Sequence, residues 1–235
     1  MIRATLAFAS LVAIAAPAAA ADRTFTFGSY ERVRVEGPFE VSIDTGASPG
    51  VSASGDQRAL DRLDIVMQGS TLVVRIGDQG WGETPVGKAL APPHITLRTP
   101  TLAGVYVNAG ARVTVSALRA QRADLSVNGS GLLTVGAIDA DELYASVIGA
   151  GSATLSGIAR RARIVASGAA TIDASGLVVN DLTLQRDGTG DTRATARYTA
   201  QISANGLGHV VVGGAAKCTV HASAATLVEC GTPAP

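Results

Sequence analysis

The sequence is poor in most of what active sites and large globular cores are built from. Aromatic residues make up 4% and charged residues 16%, with one Trp, three His and two Cys in 235 residues. Lys plus Arg equals Asp plus Glu at 19 each, so the basic surplus that nucleic-acid binding requires is missing. No polybasic membrane-binding segment is present either. There is no H-E-x-x-H and no paired-cysteine zinc spacing. No catalytic residue is therefore assigned, and neither a cofactor nor a metal is implied. Past the first twenty residues there is no second long apolar segment.

That first stretch has its own explanation. Met1-Ile2-Arg3 is a short positive head, residues 4–14 are apolar, and Ala15-Ala16-Pro17-Ala18-Ala19-Ala20-Ala21 supplies small residues for a cleavage site. This pattern predicts a signal peptide over residues 1–21, cut near Ala21-Asp22. The apolar run is shorter than the ~20 residues a membrane-spanning helix needs. No Cys follows it to carry a lipid anchor. The expected mature chain, residues 22–235, is a single exported domain, periplasmic or extracellular at the cell surface, with no membrane span. Cleavage removes Arg3 alone among the charges and leaves 18 basic against 19 acidic residues.

What the sequence does have is glycine, 27 residues of it, and a repeat. From residue 104 to 214, small-residue corners recur at Ala109, Gly129, Gly149, Gly168, Gly188 and Gly206, with gaps of 20, 20, 19, 20 and 18. A fixed period in this range is a solenoid signature. Apolar residues keep register from turn to turn. Two positions before the corner stand Val107, Val127, Val147, Ala166, Arg186 and Ala204. Two further back stand Val105, Leu125, Ala145, Ile164, Leu184 and Ile202. Columns that begin at Val113 and Val115 follow the corner, and one that begins at Ala123 marks a third short strand. Within each turn apolar and polar residues alternate with the period of two that belongs to a strand with one wet face. The pattern predicts an all-β chain: a right-handed parallel β-helix, or β-solenoid, of about twenty residues per turn.

The corner glycines then answer to geometry, because a sharp bend needs the positive φ that Gly tolerates. A phosphate-cradling glycine loop needs a helix after the turn, and here a strand follows each one. Residues 24–99 read as an irregular N-terminal β cap. Within it, Gly37-Pro38 turns between two strands, residues 56–63 form a helical turn, and residues 65–76 form a hairpin with Leu72, Val74 and Ile76 inward. Residues 215–235 read as a C-terminal cap pinned by a disulfide between Cys218 and Cys230, as expected in an oxidising compartment. A zinc site with His221 would be one ligand short.

Val35-Glu36-Gly37-Pro38, Phe39-Glu40-Val41-Ser42-Ile43, Gly69-Ser70-Thr71-Leu72-Val73-Val74 and Thr99-Pro100-Thr101-Leu102, followed by repeated Gly-x-Gly corners, carry a resemblance. In that order they resemble the auto-transporter adhesin head GIN domain family, over roughly residues 32–214. The resemblance implies a secreted or cell-surface β-helical domain without an established activity, and it transfers no catalytic residue. Ala109 and Ala169-Ala170 depart from the family's Gly-x-Gly corners. About twenty residues follow Gly214, too few for a translocator barrel, so export is expected to use another route.

Three places invite a functional reading. In the fifth turn Arg186 and Thr192 occupy core columns, flanked by Asp187 and Asp191. Either Arg186 pairs with a carboxylate, or a one-residue slip turns it outward, or Arg186, Asp187 and Asp191 form a polar ligand site. Trp81, between Gly80 and Gly82 in the loop 77–93, either caps the solenoid end or offers an indole to a sugar or a partner. The corner residues Asn108, Asn128, Ser167, Asp187 and Asn205 either hydrogen-bond one another or line up on a glycan. His94, His209 and His221 read as surface histidines. The expected function is non-enzymatic: a cell-envelope binding or adhesion module for a glycan or a surface protein. The alternatives are a polysaccharide-acting enzyme, which a tight outward cluster of acidic and basic side chains on adjacent turns would favour, and a purely structural envelope protein.

Overall fold

The computed structural model describes residues 21–77, 91–223 and 225–232, so Trp81 and the predicted signal peptide, except its last residue Ala21, lie outside the described residues. The repeat is a β-solenoid of about 6 turns with roughly 20 residues per turn. Its regular part runs through β8 (Gly104–Asn108), β9 (Arg112–Val115), β10 (Leu118–Gly129), β11 (Leu132–Gly149), β12 (Ser152–Gly168), β13 (Thr171–Gly188) and β14 (Thr192–Gly206). It closes with β15 (His209–Gly213), β16 (Lys217–Ala222) and β17 (Leu227–Thr232). Neighbouring turns pair in parallel, and the columns read from the sequence are the observed partners. Val107, Val127, Val147 and Ala166 stack in line, as do Ala123, Leu143, Ala162, Leu182 and Ala200.

Each turn has three sides, and each side sends alternate residues inward. In β11, Leu133 and Val135 face the core from the first side, Ile138 and Ala140 from the second, and Leu143, Ala145 and Val147 from the third. All are buried. This is a thin core in which inward side chains stack in columns with those of the neighbouring turns. Truncating a large member to Ala is expected to cost roughly 2–5 kcal/mol. The small drift of the period, from 20 to 18 residues, is absorbed mainly at one bend, with a second shift between Val179 and Asp181 in the fifth turn. Pairing shifts register between Val135 and Ile138, between Thr154 and Gly157, and between Ala174 and Val178. The glycine corners stay aligned through it.

Those corners are left-handed throughout: φ is 57° at Ala109, the one positive-φ non-glycine among the described residues, and 111° at Gly149. At Gly149 a Cβ would also stand 2.7 Å from the Gly129 carbonyl oxygen of the turn below. Conformation and close stacking thus both select glycine.

The N-terminal portion is more regular than its sequence texture predicts. β2 (Arg32–Glu36) and β3 (Glu40–Thr45), bent at Gly37-Pro38, form a true solenoid turn. Val33 and Val35 stack on Val105 and Val107, and Val41 and Ile43 stack on Val113 and Val115. The chain then leaves through β4 (Gly50–Gly55), α1 (Gln57–Asp61) and β5 (Leu63–Gln68), and returns as β6 (Thr71–Ile76) and β7 (His94–Thr99). β6 and β7 pair in parallel with the far side of β2 and β3. The first turn in sequence is therefore the second in space. Three antiparallel pairings, β5 on β6, β4 on β7 and β1 (Ala21–Phe25) on β4, finish this end. Asp56 caps α1 by accepting the Arg58 N–H at 2.9 Å, and Leu60 is buried beneath it.

One expected inward residue is corrected. Leu72 and Val74 are buried, but Ile76 is 45% exposed. β2 pairs with β6 only as far as Arg75, so Ile76 runs past the edge of its neighbour. Val73, on the opposite face, is buried instead.

Candidate functional site

Arg186 lies in register. Its Cα partners are Ala166 below and Ala204 above, and its side chain is 2% exposed inside the core. The local slip that the sequence also allowed does not occur at this corner, and no carboxylate among the described residues pairs with the guanidinium. Nη1 instead donates to the Ala170 carbonyl at 3.2 Å and to Thr192 Oγ1 at 3.1 Å, while Nε and Nη2 have no hydrogen-bond partner. Burial pulls the arginine's pKa below its ordinary value, opposed by the charge of Asp191. Gly208 makes room for it, since a Cβ there would collide with Nε and with the Gly190 carbonyl. Asp187 and Asp191 are both exposed, and Asp191 accepts the His209 backbone N–H at 3.3 Å. The three residues do not share a face.

The other expected features sort cleanly. Cys218 and Cys230 form a disulfide across the last turn, with 6.4 Å between their Cα atoms. His94 and His221 are exposed. His209 is half-buried, its Nε2 3.3 Å from Glu229 Oε1. In the corner ladder Asn128 donates to Asn108 at 3.1 Å, and the exposed Ile148 interrupts the row. The pentapeptide Gly46-Ala47-Ser48-Pro49-Gly50 matches the letters of a nucleophile elbow. It joins β3 to β4, however, and the elbow requires a helix after the turn.

A site the sequence reading passed over lies on the outward face of the third side. Alternation turns Arg122, Glu142, Arg161 and Asp181 out of β10 to β13 in one column, directly paired from turn to turn. Arg122 Nε and Nη2 both donate to Glu142 Oε2, at 3.1 and 2.8 Å, and Arg161 Nη2 donates to Glu142 Oε1 at 2.8 Å. Two guanidiniums thus hold one carboxylate, and the hydrogen bonds and charge of Arg122, then Arg161, lower the pKa of Glu142. Asp181 accepts a hydrogen bond from Thr199 at 2.6 Å. The adjacent column places the 40%-exposed Tyr144 beside Arg163, whose Nη2 donates to Gln185 at 2.8 Å. Arg122, Glu142, Tyr144, Arg161, Arg163 and Asp181 line an open groove of about 360 Å³. The signal was present in the sequence, as charged residues recurring at the repeat period on outward positions.

Fold and faces together define the class: a parallel β-solenoid, closed at its N-terminal end by antiparallel strands, with no long apolar helix among the described residues. The chain belongs to the family described as "putative auto-transporter adhesin, head GIN domain", whose model matches residues 29–216. The resemblance read over residues 32–214 is borne out. Solved structures described as putative adhesins share the fold. One from Bacteroides fragilis is 17% identical, covers 90% of this chain and 96% of its own, and has a TM-score of 0.82. Others come from Parabacteroides merdae (17% identical, 89% and 95% covered, TM-score 0.68) and Parabacteroides distasonis (18% identical, 90% and 97% covered, TM-score 0.67). No curated relative matches the chain. The adhesin-like family and the disulfide fit an exported protein.

Proposed function

We propose that the chain is a non-catalytic binding module of the cell envelope that holds a glycan or a surface protein on an outer face of its solenoid. The observation that carries this reading is the groove beside Tyr144. Its polar groups are fixed to paired strands, and its ion pairs already hold the side chains in place before any ligand arrives. A preorganised site of this kind loses little side-chain entropy on binding. Trp81, outside the described residues, stays a second candidate contact.

One observation favours the enzymatic alternative, since Arg122, Glu142, Arg161 and Asp181 are a charged cluster on adjacent turns. Their pairing speaks against it. A general acid needs a carboxyl whose pKa is raised toward the working pH, and Glu142 is shifted the other way by its two arginines.

The test is a screen of the purified mature chain, with Trp81→Ala beside it, against immobilised polysaccharides and envelope proteins. Each incubation is also assayed for new reducing ends. Retention without cleavage is the expected result. Cleavage would transfer the protein to the enzyme class, and a folded protein retained by nothing would leave a structural envelope role.

A further inference from the structure

We infer that the groove over β10 to β13 takes an acidic polysaccharide, with Tyr144 as the platform for a sugar ring and Arg163 as the donor to a sugar carboxylate. The inference rests on the binding-module reading above and names its ligand class and contacts.

The first argument is charge. The groove is lined by three guanidiniums, of Arg122, Arg161 and Arg163, against two carboxylates, of Glu142 and Asp181. Arg122 and Arg161 are consumed by Glu142. Arg163 makes no ion pair among the described residues and is only steadied by the neutral Gln185. Asp124, half-buried on the other flank of Tyr144, sets the opposite pole. The groove's one guanidinium without an ion pair among the described residues is thus the exposed Arg163, whose planar fork matches a carboxylate in two-point geometry.

The second argument is the aromatic. Tyr144 projects from the middle of a sheet between the polar column neighbours Asp124 and Arg163, and it is not packed against the hydrophobic core. A ring that presents its apolar face among hydrogen-bonding groups suits a pyranose, which likewise has an apolar face and a polar rim. Arg163 pairs directly with Tyr144 on the next strand, one strand spacing of about 4.8 Å away. That step is close to the length of one sugar unit, so a chain that runs across the strands with one ring on Tyr144 brings the carboxylate of a following unit within reach of Arg163, whose guanidinium extends toward Gln185 on β13.

The third argument weighs against an acidic peptide. Each of β11, β12 and β13 has a parallel partner on both sides along this face, which leaves no open edge for strand addition. The groove offers Tyr144 but no row of apolar pockets for peptide anchors.

The experiment is affinity electrophoresis of the mature chain through gels containing polygalacturonate or its fully methyl-esterified form, at low and high salt. The variants are Arg163→Gln, Tyr144→Ala and, as an off-site control, Arg58→Gln on α1. Retardation is expected in the acid polymer alone and should weaken with salt. Arg163→Gln and Tyr144→Ala should each raise the apparent Kd about tenfold, the scale of one charge-assisted hydrogen bond. The control should match the parent. Equal retardation by the esterified polymer, or variants that bind like the parent, would overturn the inference while leaving a glycan-binding module. Binding only to an acidic peptide such as polyglutamate would replace the ligand class. No retardation by any polysaccharide or protein probe would remove the underlying reading as well.

Discussion

Replacing Arg186 and Thr192 together, as Arg186→Met with Thr192→Val, should stabilise the protein, although the pair includes a hydrogen bond. The guanidinium is 2% exposed and makes two hydrogen bonds through Nη1, while Nε and Nη2 have none. Its charge is desolvated without a carboxylate in contact. Well-packed apolar replacements of buried ionic groups are neutral or stabilising by about 1–4 kcal/mol. Methionine has a similar reach and enough flexibility to fill the space beneath Gly208. The apolar columns that run through Ala166 and Ile172 would then continue unbroken through the fifth turn. Thr192→Val alone should act in the opposite direction. It removes one of two acceptors from a charge that stays buried, at a cost of about 1–3 kcal/mol. The opposed signs are the diagnostic. Urea unfolding of the four proteins in the double-mutant cycle, with hydrogen exchange at residues 185–192, measures both effects. A double variant less stable than the parent would refute the reasoning and make Arg186 the group that holds the corner together. A stabilising Thr192→Val would show that the hydroxyl does not satisfy the guanidinium.

Two further outcomes follow from the ends of the solenoid. Cys218→Ser with Cys230→Ser opens a loop with a sequence separation of 12, and loop-closure entropy puts the loss at roughly 3 kcal/mol. Exchange protection should drop in β16 and β17 and survive in β12 and β13; a loss spread evenly over all turns would contradict this placement. Tyr30 is fully buried, donates to the Arg98 carbonyl at 2.8 Å and has its pKa pushed up to about 12, chiefly by desolvation. Because the folded value lies above the unfolded value of about 10, the stability from neutral Tyr30 is complete below pH ~10. It is lost as pH rises from there through ~12 and amounts to about 2–3 kcal/mol. Alkaline unfolding monitored against Tyr30→Phe tests this, since the variant should lose the steep part of the dependence.

The solenoid was legible because its core is written at a fixed offset from the corners. Val107, Val127 and Val147 can be aligned by counting residues, and parallel stacking turns that count directly into space. The N-terminal order was not legible. β2 and β3 sit between β6 with β7 on one side and β8 with β9 on the other, and sequence distance carries no information about which parallel partner a Val-rich strand selects. The sequence also marked Arg186 as anomalous yet left its environment open. A slip and a buried guanidinium read alike until the Ala170 carbonyl and the space beneath Gly208 are placed around it.

The groove was missed for a related reason. Rare residues and fixed motifs do not mark it, because a solenoid makes a site from common residues one turn apart. Arg122, Glu142 and Arg161 are separated by 20 and 19 residues in the chain and are nearest neighbours in the sheet. The same geometry that makes the inward columns a core makes the outward columns a surface whose composition can change without touching the fold. An exposed outward position meets water and its neighbours on the same face, so substituting it alters charge and shape more than core packing. In a protein of this kind the core columns define the architecture, and the ligand has to be sought in the polar residues between them.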